Sequence, residues 1–292
     1  MMSRFIVRIM GGLGNQLFQY ASIKGLSLKY GAKLLVDDSW FSDKKQKYYY
    51  PMNISKFNIT CEDYANKNIY NYLLRHRRLL INPLNGFSRI MKSIPKYINE
   101  GEFENNVTPG STIYFDGYWQ NYRYFEQYEK RIKDDLTLSD EISNDNRKIF
   151  DLINNSCSVA VHIRRGVYYS DPDVNKDYFH CSLEYYKSAI EEMKRRLNNP
   201  TFVLFSNDIN WVRDNFDISC DKILVDTEGP DYEHLYLMSN CKHDIIADST
   251  FSWWGAWLNK NKDKIVIAPK RWKQDNNGLR VEIPSEWIQI EN

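Results

Sequence analysis

The chain has 292 residues, near the upper limit for one hydrophobic core, so one large or two medium domains are expected. Lysine plus arginine total 39 against 38 aspartate plus glutamate, which excludes the basic excess of a nucleic-acid binder and obliges any anionic partner to meet a local cluster of charge. Five scattered cysteines without metal or redox spacing, and no apolar run near the roughly 20 residues that cross a bilayer, point to a cytoplasmic protein with at most peripheral contact at the inner face of the membrane.

The N-terminal segment reads as strand, turn, helix, strand: Arg4–Met10, then a helix over Asn15–Tyr30, then Lys33–Val36 ending in Asp37 and Asp38. Such a βαβ unit implies a parallel sheet. Its turn, "GGLGNQLFQYA" (Gly11–Ala21), has the look of a phosphate loop but fits neither standard pattern. A dinucleotide fingerprint needs a third glycine where Leu17 stands, and an ATP-type loop needs Lys followed by Ser or Thr where Asn15 and Gln16 stand. Residues 40–113, rich in Lys, Asn and Tyr and broken by Pro51, Pro83, Pro95 and Pro109, form an irregular insert. Within it Arg75–Arg78 suits a solvated helix face or a contact to an acceptor or a membrane surface.

The second half is regular. Strands at 158–163, 201–205, 222–225, 243–247 and 264–268 alternate with helices at 182–197, 209–216, 231–240 and 251–260, the pattern of a doubly wound α/β domain. The predicted division is an N-terminal domain over 1–150 and a C-terminal one over 156–292.

Ligands of open α/β sheets bind outside the carboxyl ends of the strands, so the residues just after each strand are the candidates. They are "HIRRG" (His162–Gly166), "SND" (Ser206, Asn207, Asp208), "DTEG" (Asp226–Gly229) and "DSTFS" (Asp248–Ser252). Adjacent Arg164 and Arg165 suit phosphate oxygens, which guanidinium forks match and lysine does not. Ser249, Thr250, Phe251 and Ser252 open a helix, where hydroxyls and N–H groups make an anion site; simple N-capping by Ser249 or Thr250 fits equally. A diphosphate held in this way needs no divalent cation. Asp171-Pro172-Asp173 has the spelling of a metal pair, but a proline between the two acids favours a turn.

Four blocks carry a family resemblance: "GGLGNQLFQYA", "YFDGYWQNYRYF" (Tyr114–Phe125), "HIRRG" and "LMSNCKHDIIADSTFSWWGAWL" (Leu237–Leu258). With them the sequence resembles the bacterial α-1,2-fucosyltransferases, inverting enzymes that move fucose from GDP-fucose to a galactose or similar sugar. The resemblance implies an α/β, GT-B-like fold of two facing Rossmann-like domains, with no metal and no cofactor. The partners it implies are GDP-fucose and a galactose-containing oligosaccharide or lipid-linked glycan.

Carried over, Arg164 and Arg165 bind the diphosphate, Arg164 foremost, and His162 faces the guanine or ribose. Ser249, Thr250, Phe251 and Ser252 wall the phosphate and nucleoside, and Asn15, presented by Gly12 and Gly14, reaches the phosphate or the fucose. Asp116 heads the acceptor side as a catalytic candidate, with Asp37, Asp38, Asp171 and Asp173 as other candidate bases. Tyr118, Trp119 and Tyr122 suit either a stacking platform for the acceptor sugar or the core, whereas Trp253, Trp254 and Trp257 suit the core. Two departures stand out. Val167 replaces the aspartate that commonly follows "HIRRG", and His234 replaces an acid that would read guanine, for which Glu233 or Asp231 would substitute. The alternatives are a transferase of another GDP-sugar or linkage, and a silent GDP-sugar-binding protein.

Overall fold

The computed structural model describes residues 2–42, 50–64, 96–99, 110–165, 181–218, 220–272 and 281–292. They fall into two units, Met1–Ser139 and Asp140–Asn292.

The first unit is built on β1 (Arg4–Arg8), α1 (Leu13–Tyr30), β2 (Lys33–Asp37), β3 (Asp63–Tyr64), β4 (Lys96–Asn99) and β5 (Thr112–Asp116), followed by the short α2 (Glu129–Asp135). The strands form one sheet in the order β3-β2-β1-β5-β4, with every pairing parallel. Phe5, Ile6 and Val7 of β1 are all sealed from solvent, as expected of a central parallel strand covered on both faces. Helix α1 is likewise enclosed. From Leu13 to Ser27 every residue is buried except Asn15, so the side chain singled out in the turn is the one the helix leaves accessible. Gly31, in the left-handed conformation at φ 58°, stops the helix.

Inside this unit Asp135 of α2 accepts hydrogen bonds from Tyr20 Oη (2.7 Å), Thr60 Oγ1 (2.9 Å) and Arg131 Nε (3.0 Å). These bonds tie α1 to α2 through a buried charge that is fully engaged. Gly25 allows a still closer approach. A Cβ there would lie 2.4 Å from the carbonyl oxygen of Tyr124 and 2.9 Å from the Cα of Phe125.

The second unit contains α3 (Asn144–Asn154), β6 (Cys157–Ile163), α4 (Leu183–Arg196), β7 (Pro200–Ser206), α5 (Ile209–Asn215), β8 (Lys222–Leu224), α6 (Asp231–Ser239), β9 (His243–Ile245), α7 (Thr250–Leu258), β10 (Val266–Pro269) and β11 (Ile288–Ile290). Its six strands pair in parallel in the order β11-β10-β9-β6-β7-β8. The alternation expected for this half is present to within a residue or two at most element ends. Strand β11 and helix α3 come in addition. Adjacent tyrosines of α4 fix the two central strands: Tyr186 Oη donates to the His162 carbonyl (3.0 Å) and Tyr185 Oη to the Ile246 carbonyl (2.6 Å).

The boundary lies at Ser139 and Asp140, not near residue 150, because α3 belongs to the second unit. Glu233 of α6 accepts from the Ser143 N–H (3.0 Å), Ser143 Oγ (2.7 Å) and Asn146 Nδ2 (2.7 Å), and Phe150 stacks on Tyr236 at 5.5 Å. Burial opposes the charge of Glu233, yet these hydrogen bonds outweigh it and hold the carboxyl below its usual range. Glu233 is therefore an anchor for α3 and does not replace the missing guanine-reading acid. His234 is turned to Thr227 Oγ1 at 3.2 Å.

Two expected outcomes follow from this packing. Gly25→Ala forces backbone apart at Tyr124 and should cost about 1–3 kcal/mol, read as a lowered melting temperature, whereas Gly31→Ala meets no neighbouring atom and has only its φ to strain.

Asp244 in β9 is fully buried, with Oδ2 accepting from Asn259 Nδ2 (2.8 Å) and Oδ1 without a hydrogen-bond partner among the described residues. Burial raises its pKa from 3.8 to about 7, against the pull of Asn259 and Lys264. A folded pKa above the unfolded one means that folding favours the neutral acid. This stability is complete below about pH 4 and lost as the pH rises to 7. Asp244→Asn should therefore gain on the parent protein progressively across that window, on the order of a few kcal/mol, and hold the gain above it in thermal melts.

Candidate active site

In the second sheet the chain leaves β6 towards β7 and β8 on one side, then returns to build β9, β10 and β11 on the other. The loops after β6 and β9 therefore diverge and leave a crevice at their carboxyl ends, the usual ligand position in such sheets. "HIRR" follows from β6 and "DSTFS" from β9, so the structure brings these two candidate segments together. His162 and Phe251 meet with ring centroids 5.5 Å apart at 46°.

His162 is 4% exposed, and its Nδ1 has no hydrogen-bond partner among the described residues. Burial, reinforced by the positive charge of Arg164, pushes its pKa down to about 3. The imidazole is neutral at physiological pH and too weak a base to take a proton there. Ser249 occupies the N-cap of α7 with extended backbone (φ −154°, ψ 125°) and makes no side-chain capping bond. Its hydroxyl does not cap the helix, whose first turn carries the partial positive charge of a helix N-terminus. Thr250 and Phe251 stand on that first turn. Ser252 does not join them. It is fully buried, and its Oγ accepts from the Ala247 N–H (3.2 Å) and lies 3.3 and 3.2 Å from the carbonyls of Ala247 and Ser249. Its hydroxyl builds the turn and does not wall a ligand.

The two arginines differ. The Arg165 guanidinium lies flat on the Trp211 ring, 3.5 Å from its centroid, with Nε 3.9 Å from the Asp208 carboxylate. Its backbone N–H donates to Asn207 Oδ1 (2.8 Å). Ser206 Oγ donates to the Ile163 carbonyl (2.7 Å) and accepts from the Asp208 N–H (3.0 Å), and Asp208 caps α5 through the Trp211 N–H (3.2 Å). Ser206, Asn207 and Asp208, expected among the ligand-binding residues, thus bind the protein itself and hold Arg165 in place. The positive charge of Arg164 lies near enough to His162 to oppose protonation of the imidazole. Both arginines border a cavity of about 210 Å³ together with Cys181, Tyr186 and Trp211. Burial pushes the Cys181 thiol up to about 12, so no thiolate forms there at neutral pH.

The first sheet reverses its order between β1 and β5, and "GGLGN" and "DGYWQN" leave the carboxyl ends of those two strands. Gln120 Nε2 donates to Asn15 Oδ1 (2.9 Å), joining the two segments. Gly11 has φ +75°, and a Cβ there would stand 3.1 Å from Asn15 Nδ2. Gly12 caps α1 with extended backbone and no side-chain bond, and Gly14 is buried in the first turn. The second amide of the motif has another task. Gln16 is fully buried, donating to the carbonyls of Gly11 and Pro51 (2.8 Å each) and accepting from the Ile54 N–H (3.0 Å).

Asp116, the last residue of β5, is 8% exposed with both oxygens 3.3 Å from Arg8 Nη1. Asp37 is also buried and accepts from Tyr114 Oη (2.7 Å) and the Ser39 N–H (2.9 Å). Trp119 goes to the core, edge-on to Phe115 and Tyr124, while Tyr118 stays 41% exposed. Trp253, Trp254 and Trp257 are buried against one another. Gln120, Arg8 and Trp211 were not singled out in the sequence; the first lies inside the "YFDGYWQNYRYF" block, and the other two carry no motif. Val167, Asp171, Asp173 and Arg75–Arg78 lie outside the described residues. Among the described residues no group of three or more His, Cys, Asp or Glu is placed to hold a metal ion, and no helix is long and apolar enough to cross a membrane.

A model of glycosyl transferase family 11 matches residues 1–291. The chain is 31% identical to an α-1,2-colitosyltransferase of Escherichia coli over 99% of its own length and 100% of the relative's. It is 30% identical to the O-antigen biosynthesis glycosyltransferase WbnK of the same species over 96% and 98% of the two lengths. Galactoside α-(1,2)-fucosyltransferase 2 of Gorilla gorilla gorilla is 28% identical over 57% of the chain and 51% of the relative. Among solved structures, the NodZ α-1,6-fucosyltransferase co-crystallised with GDP superposes with a TM-score of 0.54 at 17% identity, over 87% of this chain and 92% of that one. This is a likeness of fold, and it agrees with the α/β, GT-B-like architecture of two parallel-sheet units.

The stacking of Arg165 on Trp211 is open to direct measurement. A contact of this kind is worth about 0.5–2 kcal/mol, so Trp211→Ala should lower stability by about that much in thermal or denaturant melts, and Trp211→Phe should recover most of it.

Proposed function

Because the chain belongs to glycosyl transferase family 11, we propose that it transfers L-fucose from GDP-fucose to the 2-hydroxyl of a galactose-type acceptor in a bacterial surface glycan, with inversion and without a metal. The observation that carries this reading is the meeting, at one strand-order reversal, of His162 with Phe251 on the first turn of α7, with Arg164 close enough to act on His162. A neutral imidazole, a guanidinium and the positive end of a helix are the parts of a receptor for a nucleoside diphosphate that requires no cation. The names of the relatives support the rest: two of them carry the α-1,2 linkage and one acts in O-antigen biosynthesis.

In this reading the acceptor hydroxyl attacks the anomeric carbon from the face opposite GDP. The bond from that carbon to the diphosphate oxygen breaks, and its electron pair leaves with GDP. Negative charge grows on the departing diphosphate, where Arg164 and the α7 N-terminus are already oriented to meet it. Arg165 supports that site from its seat on Trp211. Asn15 supplies a neutral amide, aligned by Gln120, to orient a sugar. The proton of the attacking hydroxyl passes to Asp116, the proposed acceptor-side base, whose carboxylate is held by Arg8; His162 is too weak a base for the role.

The donor sugar has a second reading, colitose, favoured by the end-to-end match to the colitosyltransferase. Transfer assays with GDP-fucose, GDP-colitose, GDP-mannose and UDP-galactose over a series of β-galactosides, followed by linkage analysis, separate the two readings and also a silent binder, which gives no product. EDTA should leave the rate unchanged. Arg164→Ala should lower turnover by at least two orders of magnitude, the effect of losing about 3–4 kcal/mol of charge stabilisation, at an unchanged melting temperature. A near-normal rate in that variant would remove Arg164 from the mechanism.

A further inference from the structure

Among the described rings of the first unit, Phe5, Phe18, Phe115, Trp119 and Phe125 are completely sealed, whereas Trp40, Phe41 and Tyr50, which follow β2, are partly exposed. Their positions are built, not incidental. After β2 the chain turns back through Ser39–Ser42, held by the Ser39 N–H on Asp37 Oδ1 (2.9 Å) and the Phe41 N–H on the Asp38 carbonyl (3.1 Å). Trp40 stacks with Tyr50 at 6.5 Å and 29°, and Phe41 meets Trp40 edge-on at 5.1 Å. The segment that follows Tyr50 is anchored by Gln16, which donates to the Pro51 carbonyl and accepts from the Ile54 N–H. The Tyr50 ring edge lies over Gly12, 3.5 Å from where a Cβ would be. At the same glycine turn Asn15 Nδ2 lies 3.1 Å from where a Cβ on Gly11 would be, and Gln120 Nε2 donates to Asn15 Oδ1.

We propose that Trp40 and Tyr50, with the Asn15–Gln120 amides at the Gly11–Gly12 turn, form a subsite for a neutral pyranose ring of the acceptor glycan. It rests on the transferase reading above and adds the residues that hold the acceptor. A pyranose presents an apolar C–H face and a polar rim of hydroxyls. Near-parallel aromatic faces beside amides that both donate and accept match that division. The local charge argues against the donor diphosphate as occupant. Among the described residues Arg8 is bound to Asp116, and Asp37 lies opposite Arg8 in the sheet register.

The test is saturation-transfer NMR of lactose and methyl β-D-galactopyranoside with the whole chain, together with steady-state kinetics. Trp40→Ala should abolish the saturation signal and raise the acceptor KM by about tenfold or more, at unchanged GDP affinity; Trp40→Phe, which keeps a ring, should restore part of both. Glycan binding by Trp40→Ala equal to that of the parent protein would overturn the subsite, as would an absence of glycan binding in the parent, or a loss in both variants that tracks the melting temperature. If no donor gives turnover while Trp40→Ala still removes glycan binding, the subsite stands and the transferase reading falls.

Discussion

Each of the two sheets has one place where consecutive strands stop being added on one side and begin on the other. Right-handed crossovers between parallel strands make this reversal unavoidable once helices cover both faces, and the loops at the reversal must separate. The four sequence blocks all sit at these two places: "GGLGN" and "DGYWQN" beside β1 and β5, "HIRR" and "DSTFS" beside β6 and β9. Everything else in the fold serves to hold those loop ends still. The buried α1, the paired tyrosines of α4 and the hydroxyl of Ser252 all act within a few residues of a reversal.

Holding a loop end still consumes polar side chains. A buried amide that finds its partners contributes only about 1 kcal/mol per bond, but a backbone group stripped of its partner costs about 1–3 kcal/mol. Gln16 satisfies three backbone groups at once and sets the course of the chain from Tyr50 to Ile54 relative to α1. Glu233 holds the start of α3 through one backbone N–H and two side chains, and Ser206 and Asn207 hold the end of β6. In each case residues of the types used to bind ligands are spent on the scaffold.

The elements of the second half were legible because their strands are short apolar runs between amphipathic helices, a pattern that periodicity resolves. Thr112–Asp116 was hidden inside an aromatic block. "TIYFD" does not alternate, since a strand covered on both faces has no polar side to display. Helix α3 is strongly amphipathic, but an apolar stripe says only that a helix packs, and not against which sheet; the three bonds to Glu233 that decide it come from 87 to 90 positions away. Individual roles were the least legible. Serines 249 and 252 are the same letter three residues apart in one motif, yet one leaves its helix uncapped and the other is sealed inside the turn. Only the geometry distinguishes them.

The arginine pair carries a consequence of the same kind. Two identical neighbours suggest redundancy, a spare charge that covers the loss of its twin. The stacking of Arg165 on Trp211 removes that insurance, because a guanidinium laid flat on a ring and steered by Asp208 is not available to take its neighbour's position. Nor does lysine substitute for it, since an ammonium has no plane to lay on the indole. The net charge would stay the same while the shape was lost, so the two positions carry separate demands, one for a cation near His162 and the other for a planar one on the indole.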